Sequence, residues 1–179
     1  TAKKIILVEG AAEYILMRTF IRLVLGHDDS SIEILSMGGR DYSPFVDLVK
    51  NLKVKMAIFT DNDGNRIDDL NGFNDEQEKK GLLIKAFFDS DGEYKTTFEK
   101  VEYYENKDVI EENQLISKGA STTKYKRRNQ GKEEEENSTQ LAFMLNNKSE
   151  SAIRMIEYYK SKQIKVPHYI EQGLKWLKE

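Results

Sequence analysis

Short apolar runs and stretches of helical spacing alternate over the first sixty residues. Lys4-Ile5-Ile6-Leu7-Val8 is a β-branched run ending in Glu9-Gly10. Ala11 to Leu25 then places Ile15, Leu16, Phe20, Leu23 and Val24 at helical spacing, and Gly26 closes the helix. A second run, Ile32 to Met37, ends in Gly38-Gly39, followed by a helix from Tyr42 to Leu52 with Phe45, Val46 and Val49 on one face. A third run, Val54 to Thr60, ends in Asp61-Asn62-Asp63-Gly64. The order βαβαβ predicts an α/β fold with parallel strands and right-handed crossovers. Near-continuous apolar runs are what strands buried on both faces require. The carboxyl ends of parallel strands share one edge, where open α/β sheets bind ligands, so Glu9, Gly38 and Asp61 are predicted to converge there.

The pattern weakens beyond that point. Asn65 to Lys80 is polar and reads as a loop or irregular helix; Leu82 to Phe88 reads as another strand, with Asp89-Ser90-Asp91-Gly92 as a turn. Thr96-Thr97-Phe98-Glu99 reads as a helix start and Asp108 to Ile116 as a helical stretch. Residues 117–138, low in apolar content and rich in charge, read as a flexible loop. Helices are expected over Thr139 to Leu145, Ser151 to Lys162 and from Pro167 onward, the last with Tyr169, Ile170, Leu174 and Leu177 facing inward. The expected organisation is a mostly parallel sheet flanked by helices in residues 1–116, the charged loop, and a helical extension, residues 139–179, packed on the core.

A chain of 179 residues, 39% of them hydrophobic, can bury one core. No apolar stretch approaches the roughly 18 residues of a membrane span, and no cleavable signal pattern opens the chain. Without cysteine there is no disulfide, thiolate zinc site or cysteine nucleophile, which fits a cytoplasmic setting. His27 and His168 are far apart and read as surface or cap residues, so a histidine metal site is not expected. The first residue is Thr1 rather than methionine, and we expect a piece of a longer polypeptide. The net charge of −3 conceals segregation: Lys118, Lys124, Lys126, Arg127, Arg128 and Lys132 occur with no acidic residue among them, and Glu133 to Glu136 follow. Such a basic run fits sequence-independent contact with a DNA backbone.

Chemistry concentrates in four carboxylates. Glu9 ends the first strand and Glu13 follows one helical turn later, so both can face one point above the sheet edge; Asp61 and Asp63 leave the third strand beside them. Clustered carboxylates raise one another's pKa and need countercharge, and Mg²⁺ or Mn²⁺ is the natural hard partner. Singly, these residues also read as a turn and a helix-dipole partner. A calcium loop of the EF-hand type would need glycine sixth and glutamate twelfth; from Asp61 those positions are Arg66 and Gly72, and from Asp89 they are Tyr94 and Lys100. A phosphate-binding P-loop and a G-x-S-x-G elbow are absent. Phe59-Thr60-Asp61-Asn62-Asp63-Gly64-Asn65 also resembles the haloacid-dehalogenase phosphatase signature, with Asp61 as nucleophile. There the signature ends the first strand, and Glu9 and Glu13 would have no role.

A glutamate-glycine pair after strand one and D-x-D after strand three resemble the Toprim domain of topoisomerases, primases and nucleases. Ile6-Leu7-Val8-Glu9-Gly10-Ala11-Ala12-Glu13 resembles more closely the V-E-G-x-x-[DE] opening of the OLD (overcoming lysogenization defect) family, which includes Gabija-type nuclease subunits. Ser36-Met37-Gly38-Gly39, Thr60-Asp61-Asn62-Asp63-Gly64, Thr97-Phe98-Glu99, Leu141-Ala142, Val166-Pro167-His168-Tyr169-Ile170 and Trp176-Leu177 agree with it. The resemblance implies a Toprim core and a metal-dependent DNA endonuclease or nickase fused behind an ABC-type ATPase and acting in DNA processing or phage defence. It further implies a homo-oligomer and a helicase-like partner. Glu9, Glu13, Asp61, Asp63 and Glu99 would hold one or two ions, with Glu9 alternatively the general base. The lysine the family places before its F-A pair falls, by counting from Leu141-Ala142, on Ser138, so Lys132 or a neighbour in the basic run is expected to supply that charge. A catalytically weakened module that binds DNA or dimerises is the remaining alternative.

Overall fold

The computed structural model describes residues 4–115 and 138–179. Four strands, β1 (Lys4–Val8), β2 (Ile32–Ser36), β3 (Lys55–Phe59) and β4 (Ile84–Phe87), form one sheet in the order β2-β1-β3-β4, with every neighbouring pair parallel. Among the described residues the helices are α1 (Ala11–Leu25), α2 (Ser43–Val49), α3 (Ile67–Lys79), α4 (Phe98–Glu105), α5 (Lys107–Asn113), α6 (Thr139–Asn146), α7 (Lys148–Lys160) and α8 (His168–Lys178). None of them is long and apolar enough to cross a membrane. The predicted α/β class and the parallel sheet are both observed.

The apolar runs are continuous because consecutive side chains enter opposite cores. Ile6 and Val8 of β1 and Ala57 and Phe59 of β3 join one cluster, while Leu7, Met56 and Ile58 join the other; all seven are fully buried. The first cluster is the larger, with α1 packed against both α7 and α8 and α8 lying on β3 and β4. Gly173 permits that close approach: a Cβ there would stand 2.4 Å from the Phe59 ring and 3.0 Å from Phe87. The second cluster is covered by Val49 of α2 and Leu70 of α3, with partly buried Phe45, Val46 and Phe73 around them.

Several elements differ from the sequence reading, among them α2, which ends at Val49 rather than Leu52, and α5, which ends at Asn113. Residues 65–80, read as loop or irregular helix, contain the regular helix α3, in which only Leu70 and Gln77 are buried. Such a helix is polar overall and shows few apolar residues to the sequence reading, and Asp68 and Asp69 in its first turn with Lys79 in its last complement the helix dipole. It also shields an edge of the sheet: Asn74 donates from Nδ2 to the Ala86 carbonyl at 2.9 Å and accepts the Ala86 N–H at 2.7 Å, occupying groups that another strand would use. The helix expected to begin at Ser151 begins at Lys148. Ser138, read as the end of the loop, is the N-cap of α6, its Oγ accepting the Leu141 N–H at 3.1 Å. The remainder of that loop, with Lys118, Lys124, Lys126, Arg127, Arg128 and Lys132, lies outside the described residues.

The strand order reverses between β1 and β3, which is where doubly wound sheets open a crevice at their carboxyl edge. Val8 is paired with Phe59, so Glu9 and Thr60 leave the sheet side by side.

Candidate functional site

Glu9 is fixed as it leaves β1. Its Oε2 accepts the Thr60 hydroxyl at 2.7 Å and the Asp61 N–H at 3.1 Å, so the end of β3 holds the carboxylate that ends β1. Asp61 in turn accepts the Phe98 N–H at 2.7 Å on Oδ1, binding the first residue of α4 to the strand end. The next residue, Glu99, is 1% exposed, and its Oε2 accepts from Lys148 Nζ at 2.9 Å. Glu13, in the first turn of α1, is also buried and folds back over Gly10, where a Cβ would stand 2.9 Å from Glu13 Oε2. Glycine after Glu9 thus gives the second glutamate room.

Asn62, between the two aspartates, fastens the loop. It is buried; its Nδ2 contacts the carbonyls of Asp89, Asp91 and Lys95 at 2.7, 3.0 and 3.1 Å, and its Oδ1 accepts the Gly64 N–H at 2.8 Å. The Asp63 N–H donates to the Thr96 carbonyl at 3.0 Å. The segment after β4 is therefore drawn against the end of β3, and this delivers Glu99 to the cluster.

Burial and mutual repulsion act together on these groups. Burial first, then the charges of Glu99 and Glu9, push Glu13 up to about 7. Asp61 is held well above the usual carboxylate range by burial, then by Glu13, Glu99 and Glu9. Burial works against the Lys148 ammonium, but Glu99, Asp61 and Glu13 outweigh it and keep that group protonated to higher pH than usual. Glu9, Glu13, Asp61 and Glu99 thus share one electrostatic neighbourhood into which Lys148 reaches. Among the described residues, no group of three or more acidic or histidine side chains is placed so that it could hold a metal ion as it stands.

Asp63 has different partners. It lies in left-handed backbone, φ 52°, and its Oδ2 accepts from Arg40 Nη1 at 2.9 Å and faces Arg66 Nη1 at 3.4 Å. Arg66 also donates to the Asp61 carbonyl at 3.3 Å. His27 and His168 are exposed, as read from the sequence.

Two groups were not legible in the sequence. Lys148 brings an ammonium to Glu99 from the first residue of a helix that packs on α1, while Lys132, the residue expected to supply charge there, lies outside the described residues. Glu102, one turn after Glu99, is 1% exposed; Tyr159 donates to its Oε1 at 2.7 Å, while Oε2 has no partner. Burial pushes Glu102 up to about 8.

No curated protein matches the sequence. Residues 1–63 match the family described as "Overcoming lysogenization defect protein-like, TOPRIM domain", a segment that contains Glu9, Glu13, Asp61 and Asp63. The C-terminal region of the Burkholderia pseudomallei OLD protein is similar in structure, with a TM-score of 0.57, 19% identity, and coverage of 99% of this chain and 98% of that one. The resemblance read from the motifs therefore stands: residues 1–63 match the Toprim domain of OLD-like proteins, and the described chain has the fold of an OLD C-terminal region.

Proposed function

We propose that this chain is a metal-dependent DNA endonuclease or nickase domain. The observation that carries the reading is the grouping of Glu9, Glu13, Asp61 and Glu99 in one electrostatic neighbourhood at the carboxyl edge of the sheet, with Lys148 paired to Glu99. The donors are hard oxygen atoms, and Glu13 and Asp61 are held back from ionisation, which fits a Mg²⁺ or Mn²⁺ ion as missing countercharge. Glu9, Glu13, Asp61 and Glu99 are the residues that would hold it. Asp63 would join them only by leaving its arginines. Bound there, the ion would supply Lewis-acid charge stabilisation and a water of lowered pKa.

The chain's own groups supply the rest. In its alternative role to ion ligation, Glu9, oriented by Thr60 and the Asp61 N–H, would take a proton from the attacking water as the phosphorus–oxygen bond to the leaving 3′ oxygen breaks. Lys148 offsets the charge that builds on the phosphate, the role assigned by sequence to Lys132 or a neighbour. An ABC-type ATPase fused ahead of this domain, DNA as substrate, a homo-oligomer, a helicase-like partner and a role in phage defence all belong to this proposal; what supports them is the similarity to OLD-like proteins.

Supercoiled plasmid incubated with the protein in Mn²⁺ is expected to be nicked, and Glu9→Ala to abolish nicking. A wild-type protein that binds plasmid without cutting it would leave the weakened binding module as the better reading. For the phosphatase reading, Asp61 would have to act as a nucleophile. Its Oδ1 already accepts the Phe98 N–H, and burial favours its protonated form, both of which blunt a nucleophile. Trapping an aspartyl-phosphate at Asp61 would nonetheless reinstate it.

A further inference from the structure

The carboxylate cluster repels the polyanion it is proposed to cut, so attraction has to come from its surroundings. Beside it, Arg40, Asp41, Tyr42, Ser43 and Arg66 line an open cleft of about 380 Å³. Arg40 leaves the Gly38-Gly39 turn after β2 with a side chain that is 60% exposed, and Arg66, 20% exposed, comes from the loop after β3. Asp63 Oδ2 accepts from Arg40 at 2.9 Å and faces Arg66 at 3.4 Å. The Tyr42 hydroxyl also meets Arg66. The Asp41 carboxylate is exposed at the same cleft, where its Oδ1 accepts the Ser43 N–H at 3.0 Å.

Two guanidinium groups share one carboxylate, so the trio keeps a net positive charge at the rim of an acidic site. Arg40 also feels Glu9 and Asp61, which places the rim next to the cluster. A guanidinium pre-oriented by a carboxylate presents its remaining N–H donors in a fixed fork suited to phosphate oxygens.

We infer that Arg40 and Arg66, pinned together by Asp63, form a docking subsite for a backbone phosphate of DNA next to the phosphodiester at the carboxylate cluster. The inference rests on the phosphodiester reading of the cluster and adds the direction in which the strand leaves it. Arg40 is the outer contact and acts by binding, while Arg66, tied to the Asp61 carbonyl, couples the docked phosphate to the strand end that carries the cluster.

The test uses the whole chain, a fluorescent duplex oligonucleotide and plasmid in Mn²⁺. Arg40→Gln is chosen because an exposed side chain can be replaced without disturbing the core. It is expected to weaken duplex binding roughly three- to tenfold at low salt and to reduce the slope of log affinity against log salt by about 0.9, one phosphate contact. In plasmid nicking it raises KM and leaves kcat within about threefold of wild type, the signature of lost uniform binding. Arg40→Lys is expected to restore the salt slope. If wild type binds and nicks DNA while Arg40→Gln leaves slope and KM unchanged, or lowers kcat alone, the subsite is wrong and the nuclease reading survives. If wild type neither binds duplex nor nicks plasmid, both fall together.

Discussion

The cluster of Glu9, Glu13, Asp61 and Glu99 and the rim formed by Arg40, Asp63 and Arg66 are built from the same short stretch of chain and solve opposite electrostatic problems. Asp61 and Asp63 are two residues apart. One is half-buried among like charges and held well above the usual carboxylate range, while the other pairs with two guanidinium groups. The left-handed turn at Asp63 and the Asn62 anchor separate their directions. A D-x-D motif therefore need not deliver two equivalent carboxylates. Here it delivers one that lacks countercharge and one that organises positive charge.

The largest effect that would sharpen this contrast is at Lys148. Replacing it by Met removes the ammonium that meets Glu99, and kcat for plasmid nicking should fall by about 10² to 10³, the scale of losing one preorganised charge partner at a phosphate. Duplex affinity should change far less. A Lys148→Met enzyme with full kcat would return the role to a residue of the basic run, Lys132 foremost.

Next in size is the thermal response to Mn²⁺. An ion that binds the folded chain raises its melting temperature by mass action, and Glu13→Gln should remove most of that rise while stabilising the metal-free protein, since it deletes a buried charge. Asp63→Asn should keep the rise, because that carboxylate is committed to Arg40 and Arg66. Loss of the rise in Asp63→Asn as well would merge cluster and rim into one ion site and break the comparison.

A smaller effect comes from behind the cluster, at Glu102. Its folded-state pKa, about 8, lies above the unfolded value, so the folded chain binds the extra proton. The stability this group lends is full at low pH and is lost as pH rises from about 4.5 to about 8. Glu102→Gln keeps the side-chain shape and the Tyr159 partner, and should flatten the fall in melting temperature across the upper part of that window. An unchanged profile would show that Glu102 is not the group responsible.

Much of this was legible in the sequence. The strand ends placed Glu9 and Asp61 at one edge because parallel strands must share it, and the four-residue step to Glu13 needed only helical geometry. Lys148 was not legible because nothing local marks it; it opens a polar first turn, and its partner is 49 positions away along the chain. Counting back from Leu141-Ala142 led instead to Ser138, whose local chemistry is that of a helix cap. The helix α3 was hidden for a different reason: its apolar stripe is narrow, Leu70 with Phe73 among mostly polar residues, and the Asn74 contact with β4 adds to it.

The sequence by itself determined the parallel α/β sheet, the edge at which chemistry collects, and the identity of three of its carboxylates, because each follows from periodicities set within one element or its immediate neighbour. Only the tertiary structure decided which charges meet. The Asn62 anchor brings Glu99 to Asp61, the packing of α7 on α1 brings Lys148 to Glu99, and the turn at residue 63 sends Asp63 to the arginines. Coulomb interactions depend on distance in space, and no local pattern along the chain encodes that distance for groups carried by separate elements.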